Sequence, residues 1–476
     1  MLSDFLSNQI KKNFPHEATS EQNLALEKLS HFLFSKENEL LFLLKGYAGT
    51  GKSSLIGALV KTMNDMKQKT VLMAPTGRAA KVFSSYAGQN AYTIHKKIYR
   101  QKVFSNEPTG FQLADNLHKH TLFVVDEASM ISNDGLDSFS FGSGRLLDDL
   151  IRYVYSGEGC RLLLIGDSAQ LPPVSQSDSP ALDIEVLKSY SLNIHHITLT
   201  QVVRQSEMSG ILLNATQLRK AMTDNKVNVF PQLMTENLPD IVIVKGDELI
   251  ETIENAYSRV GVEENIIITR SNKRANVFNN GIRNRILDRD EALSSGDLLM
   301  VSKNNYFWGK EQKEIDFIAN GDLIEILRVR RIEDIYGFQF ADLLVRFPDY
   351  DIEMELKIVM ESLFSDTPSL PKELNDKLFY TVLEDYADIR TKPERMRKMK
   401  ENPHYNAVQV KYAYSVTCHK AQGGQWKNVF LDISYIPKEY LGLDFYRWLY
   451  TAFTRATEQI FLINPAKEMV SANIYF

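Results

Sequence analysis

The chain has 476 residues, 44% of them hydrophobic, and 55 basic side chains against 60 acidic ones give a net charge of −5. That composition is globular and too long for one ordinary core, so two to four domains are expected, and the negative balance leaves any polyanion contact to a local basic groove. Only Cys160 and Cys418 are present, which excludes a disulfide framework and a cysteine zinc site; with no run of about 18 apolar residues and no N-terminal signal segment, a soluble cytoplasmic protein is expected.

The first signal along the chain is Thr19 to Gln22, a T-x-x-Q spelling that fits a capping box at a helix start. Next comes ELLFLLKGYAGTGKSS, from Glu39 to Ser54. An apolar run (Leu40 to Leu44) precedes a GxxxxGK[ST] spacing, and an apolar-periodic stretch (Leu55, Ala58, Leu59, Met63) follows it. Strand, glycine loop and helix in that order form the context in which the spacing binds phosphate. Gly46 and Gly51 let the chain wrap closely enough for successive N–H groups to converge, and the following helix adds its positive end. The expected nucleotide contacts are Gly46, Ala48, Gly49, Thr50, Gly51, Lys52, Ser53 and Ser54. Lys52 reaches the β- and γ-phosphates of ATP, and the Ser53 hydroxyl binds Mg²⁺.

A strand at Thr70 to Met73 precedes APTGRAA and TIHK. The stretch from Ile98 to His120 then breaks the strand–helix rhythm with Phe104, Pro108, Gly110 and Phe111 and reads as a small insertion. The strand Thr121 to Val125 delivers Asp126 and Glu127 at its C-terminal end, where open α/β sheets place their ligands. Asp126 is the metal-side candidate and Glu127 the general base or water-positioner. The strand Leu162 to Ile165 leads into GDSAQLPPV, with Asp167 and Gln170; Gln170 is placed to sense the γ-phosphate. After Ile197 to Leu199 comes Arg204 in LTQVVRQ, a candidate arginine finger.

A second alternating series begins near residue 205, with strands at Ile241 to Val244 and Ile266 to Thr269, and resumes at Val429 to Leu431 and Ile460 to Ile463. Residues 297–408 interrupt it with two Gly-Asp-Leu strand starts and alternating stretches such as Ala341 to Phe347. They read as a small β-rich inserted domain with a helical, charged segment from Met360 to Tyr405. Within that segment the basic run Lys392 to Lys400 reads first as a solvated helix face and second as an auxiliary phosphate contact. Arg455, in RWLYTAFTRAT, is a second arginine-finger candidate.

The order of these motifs resembles the superfamily 1 DNA helicases, in their RecD-like branch. The match runs along nearly the whole chain: Gln22, GYAGTGKS, APTGRAA, TIHK, VVDEAS, GDSAQLPPV, VVRQ, NGD (Asn320 to Asp322), SVTCHKAQG (Ser415 to Gly423) and LYTAFTRA. The resemblance implies an α/β fold of two RecA-like parallel-sheet P-loop domains, with a hairpin insertion in the first and a small barrel in the second. Its expected limits are 1–204 for the first domain, 205–296 with 409–476 for the second, and 297–408 for the insertion. It implies ATP between the domains, 5′-to-3′ movement on single-stranded DNA, and unwinding of tailed duplexes by a monomer that works away from membranes with replication or repair proteins.

It also implies that Gln22 reads adenine, beside its capping-box reading, and that Gly423 contacts nucleotide. Thr76, Arg78, Thr93 and His95 would hold DNA on the first domain, and Thr417, His419 and Lys420 on the second. Hydroxyls, amides and single cations hold a phosphate chain without reading bases. The insertion resembles a wedge hairpin in which Phe104 or Phe111 either stacks on a base or anchors the hairpin. An ATP-switched DNA-binding subunit of a recombination or repair complex, with no unwinding of its own, stays open at this level.

Overall fold

The computed structural model describes residues 2–101, 111–135, 142–203, 209–311 and 317–470. A six-stranded, all-parallel sheet forms the first domain. Its spatial order is Ala91–Thr93, Thr70–Ala74, Leu122–Val125, Arg161–Gly166, Leu40–Gly46 and Asn193–Leu199. Leu40 to Leu44 are all buried because helices cover both faces of a parallel sheet, so every side chain of a central strand meets a core. The edge strand Ala91–Thr93 is too short for its alternation to show in the sequence. Leu122–Val125, Arg161–Gly166 and Leu40–Gly46 are neighbours, so the loops at their C-terminal ends meet at one sheet edge.

The second sheet is also all parallel, ordered Ser415–Thr417, Asn265–Thr269, Trp426–Asp432, Ala456–Ile463 and Ile241–Val244. Between its halves a closed five-stranded barrel is built from Leu298–Val301, Leu323–Ile335, Phe338–Phe347, Ile352–Val359 and Val408–Tyr412. Both Gly-Asp-Leu segments run into barrel strands, and Leu299 faces Ile324 across the pair. The inserted unit runs past residue 408, because Val408–Tyr412 closes the barrel before the chain returns to the second sheet at Ser415.

Asp297 ties barrel to sheet domain. It is fully buried and accepts from Arg283 at 3.1 and 3.0 Å and from Arg289 at 2.7 Å. Two helices, Lys372–Glu384 and Lys392–Lys400, leave the barrel between its last two strands and close an apolar cluster of their own with Phe338, Phe340, Leu378, Val382 and Met399.

In the first domain Tyr99–Gln101 pairs antiparallel with Phe111–Leu113, which makes a hairpin stem of the insertion. Phe111 does not stand free to stack on a base. It is buried, with its ring 4.8 Å from Tyr306 and 6.0 Å from Phe317, and so fastens the stem to the loop after the first barrel strand. Phe104 lies outside the described residues.

Candidate functional site

The glycine loop leaves the strand Leu40–Gly46 and enters the helix Lys52–Asp65 through Gly51, whose φ of +79° only glycine adopts without strain. No described protein group accepts from the N–H groups of Gly49, Gly51, Lys52, Ser53 or Ser54, so they form a nest of free donors at a helix N-terminus. The Lys52 ammonium folds back onto the carbonyls of Gly46 (2.6 Å) and Tyr47 (3.0 Å). Ala48, Gly49, Gly51, Lys52, Ser53 and Ser54 line a cavity of about 350 Å³ together with Asp126, Glu127, Gln170, Gly423 and Arg455. These donors and carboxylates fit a magnesium–triphosphate.

Asp126 is enclosed. Tyr86 donates to its Oδ2 at 2.5 Å and the Glu127 N–H to its Oδ1 at 2.8 Å. Burial first, and the charge of Glu127 second, raise its carboxyl to about 6. Glu127 sits at φ +51°, a left-handed conformation that turns its side chain out of the strand direction toward the cavity. Arg455, 3% exposed, reaches it from the second domain at 3.5 Å. The Gln170 carboxamide lies between them, its NH₂ donating to Glu127 Oε2 (3.3 Å) and its oxygen accepting from Arg455 Nη2 (3.1 Å). The rest of the guanidinium donates to the carbonyls of Thr451 and Gly424 and to the Thr454 hydroxyl, each at 3.2 Å, which fixes its aim.

Sequence reasoning missed Tyr450. Its hydroxyl donates to Asp167 at 2.6 Å and accepts from the Ala48 N–H at 2.8 Å, so one second-domain side chain joins two first-domain loops. The helix Leu443–Phe453 crosses again at Thr451, whose hydroxyl accepts from Leu171 N–H at 2.9 Å. Gly423, at φ +72°, comes so close to the first domain that a Cβ there would meet the Ala79 Cβ at 2.7 Å.

Of the two readings of Gln22, the structure shows the capping box. Its oxygen accepts from Thr19 N–H (2.9 Å), its NH₂ donates to the Thr50 carbonyl (3.0 Å), and Thr19 Oγ1 accepts from its N–H (3.3 Å). It is 2% exposed, so its amide completes the capping box and braces the glycine loop from behind instead of facing a base. Gly46 and Thr50 likewise shape the loop rather than line the cavity: the Thr50 hydroxyl donates to Tyr47 O at 2.7 Å. Arg204 lies outside the described residues.

The nucleic-acid residues divide. Thr76, Thr93, His95 and His419 converge on a groove of about 390 Å³ that also holds Asn304, Asn320 and Gln422. Thr76 and Thr93 are there because each caps a helix, accepting from Ala79 N–H and Lys96 N–H at 3.2 Å. Burial lowers His95 to about 4, so it is neutral at pH 7, and partial desolvation lowers His419 from the ordinary imidazole value as well.

Arg78 is not in the groove. Its guanidinium stacks 3.9 Å over Trp426 and donates to the Gln425 carbonyl at 3.3 Å, lining a separate cleft with Glu263 and Glu264. Lys420 also points elsewhere. On the short helix Cys418–Ala421 it is next to His419 and therefore on another face, and its enclosed ammonium has no hydrogen-bond partner among the described residues and is lowered to about 8 by burial. Thr417 caps that helix by position only and does not line the groove. Asp322 of NGD is buried, held by Ala319 N–H (2.7 Å) and Tyr350 (3.1 Å) against Gly77, so this motif docks the barrel on the first domain.

Residues 18–232 match the family model of an AAA domain, and residues 412–463 match a UvrD-like helicase C-terminal domain. The first holds the glycine loop and the two acids; the second holds Gly423, Tyr450 and Arg455. Through these matches the chain is similar to superfamily 1 helicases of the group of Pif1, RecD and Dda. It is 22% identical over 519 residues to the uncharacterized protein R530 of Acanthamoeba polyphaga mimivirus, covering 93% of this chain and 98% of that one. The ATP-dependent DNA helicase Pif1 of Campylobacter jejuni is 22% identical over 91% of this chain and 90% of its own. The ATP-dependent DNA helicase dda of Enterobacteria phage T4 is 26% identical over 61% of this chain and 64% of its own length. Its second-domain arginine stands against the first-domain acid, and among its described residues no helix is long and apolar enough to cross a membrane.

Proposed function

We propose that the chain is an ATP-dependent DNA helicase that moves 5′ to 3′ along a single strand and separates the duplex ahead of it. The observation that carries this reading is Arg455 lying 3.5 Å from Glu127 across the seam of two sheet domains, beside the glycine loop. A kinase acting on a small molecule would need no cation from a second lobe aimed at its acid.

The free N–H groups of the loop and the Lys52 ammonium bind the β- and γ-phosphates, Lys52 leaving the carbonyls it now contacts. Ser53 and Asp126 would hold Mg²⁺, which neutralises charge on the transferring group. Glu127 orients the attacking water, Gln170 reports whether a γ-phosphate is present, and Arg455 stabilises the charge that spreads over the equatorial oxygens. Arg204 is a second cation for that task. Because Tyr450, Thr451 and Arg455 share one helix end, a change at the γ-phosphate moves that helix and the second domain together. The groove of Thr76, Thr93, His95 and His419 then advances along a phosphate chain without regard to sequence.

The test offers duplexes with a 5′ or a 3′ single-stranded tail. Strand separation confined to the 5′-tailed substrate, with strand-stimulated ATP hydrolysis, is the expected result. Separation only of the 3′-tailed substrate would overturn the polarity, and stimulated hydrolysis without separation would overturn the helicase reading.

A further inference from the structure

We propose that the pocket between the barrel and its helical appendage is an additional single-strand site, which takes one unpaired nucleotide of a DNA strand beyond the groove. The inference rests on the helicase reading above.

The pocket encloses about 320 Å³, and Asn304 lines both it and the groove, so the two hollows are neighbours along one surface. Its amides are spent on the fold. Asn375 donates to the Leu370 and Pro371 carbonyls and accepts from Gln409, while Asn406 donates to the Lys400 and Asn402 carbonyls. Two other kinds of group line it. Lys303 is exposed and Lys400 half-buried; neither ammonium has an acceptor among the described residues, and partial desolvation against the lining lowers both from the ordinary lysine value. Phe307, Phe379 and Tyr405 contribute partly buried ring faces to the same lining. Asp376, the acid of the lining, is exposed.

Two cations and a set of rings are the chemistry of a phosphate with its base: the cations neutralise the backbone and any base can stack on an aromatic face. Phe379 and Tyr405 also pack against the apolar cluster of the appendage, and an acidic peptide would satisfy the lysines while making no use of the ring surface that still lines the hollow. Lys400 closes the basic helix Lys392–Lys400, and its neighbours there show the contrast, since Lys398 pairs with Glu401 at 3.4 Å and Arg395 donates to the Ala387 and Ile389 carbonyls.

The test measures anisotropy of labelled oligo-dT of about 8 and about 20 nucleotides, spanning the range of single-strand site sizes, over a salt series. The double variant Lys303→Ala/Lys400→Ala should weaken the long strand roughly tenfold and shrink its log–log salt slope by about 0.7 to 1.4, one or two phosphates' worth, leaving the short strand within about twofold. Lys303→Glu/Lys400→Glu, which removes no packing, should lose more on the long strand alone. A long strand carrying 5-iododeoxyuridine should photo-cross-link to the peptide containing Phe379 or Tyr405. Equal losses at both lengths, an unchanged long strand, or cross-links confined to the groove would overturn the proposal alone. Wild-type protein that binds neither length overturns the helicase reading and this site with it.

Discussion

Replacing Arg455 with alanine removes a full charge 3.5 Å from Glu127 and the acceptor's partner at Gln170. At an effective dielectric of about 20, a unit pair at that separation interacts by about 5 kcal/mol. The stabilisation lost in the transition state should be of that order, since charge develops on phosphoryl oxygens in the same enclosed space. The value agrees with the 10³- to 10⁵-fold, about 4–7 kcal/mol, associated with arginine fingers. We expect strand-stimulated kcat to fall by about three to four decades, with ATP affinity within about tenfold, because the ground state is held mainly by the loop and Lys52. Steady-state hydrolysis and binding of a fluorescent ATP analogue separate the two. Arg455 also satisfies Thr451 and Gly424 carbonyls, so Arg455→Lys, which keeps the charge but loses the fork, serves as the companion and should still fall by at least about 10²-fold. A fall below about tenfold in the folded alanine variant would refute the claim that this guanidinium acts on the reacting phosphate.

Lys52→Ala should abolish hydrolysis, and Glu127→Gln should keep ATP binding while turnover disappears; normal turnover in either contradicts the site. Tyr450→Phe strands the Ala48 N–H and removes a donor from buried Asp167, so it should cost about 2–3 kcal/mol in urea unfolding, and a loss under about 0.5 would show that the bridge is idle. Asp126 is raised from 3.8 to about 6, so its neutral form favours the folded state below about pH 4 and that contribution is gone once pH passes about 6. Metal binding needs the anion, so the Mg²⁺ enhancement of nucleotide affinity should decline as pH falls through about 6, and a flat response from pH 5 to 7 would exclude Asp126 as the ligand. Phe111→Ala should slow strand separation while strand-stimulated hydrolysis stays within about threefold, because it loosens the hairpin stem and leaves the seam intact; equal loss of both would make Phe111 a general stability residue.

Local chemistry was legible wherever it is contiguous in the chain. A glycine loop between a buried strand and a helix, acids at a strand end, and the two Gly-Asp-Leu strand starts are each spelled in a few residues, because backbone geometry and sheet topology place the loop at each strand's end. The parallel sheets were readable for the same reason, apart from three-residue edge strands with no room for a pattern. Direction was not legible. Gln22 could serve a cap or a base, and only the enclosure behind Thr50 decides for the cap. Arg78 and Lys420 carry the right charge within the right motifs, but each lies on a helix face set by its packing neighbours, Trp426 for one and a closed interior for the other. Phe111 became an anchor because the barrel brought Tyr306 and Phe317 to it from about 200 residues away. Tyr450 carried no signal at all, since a tyrosine in an apolar helix reads as core until the loop it bridges is in place. The order of residues thus fixes which groups are available and on which strand end they arrive, while long-range packing and the loss of water decide which way each one faces.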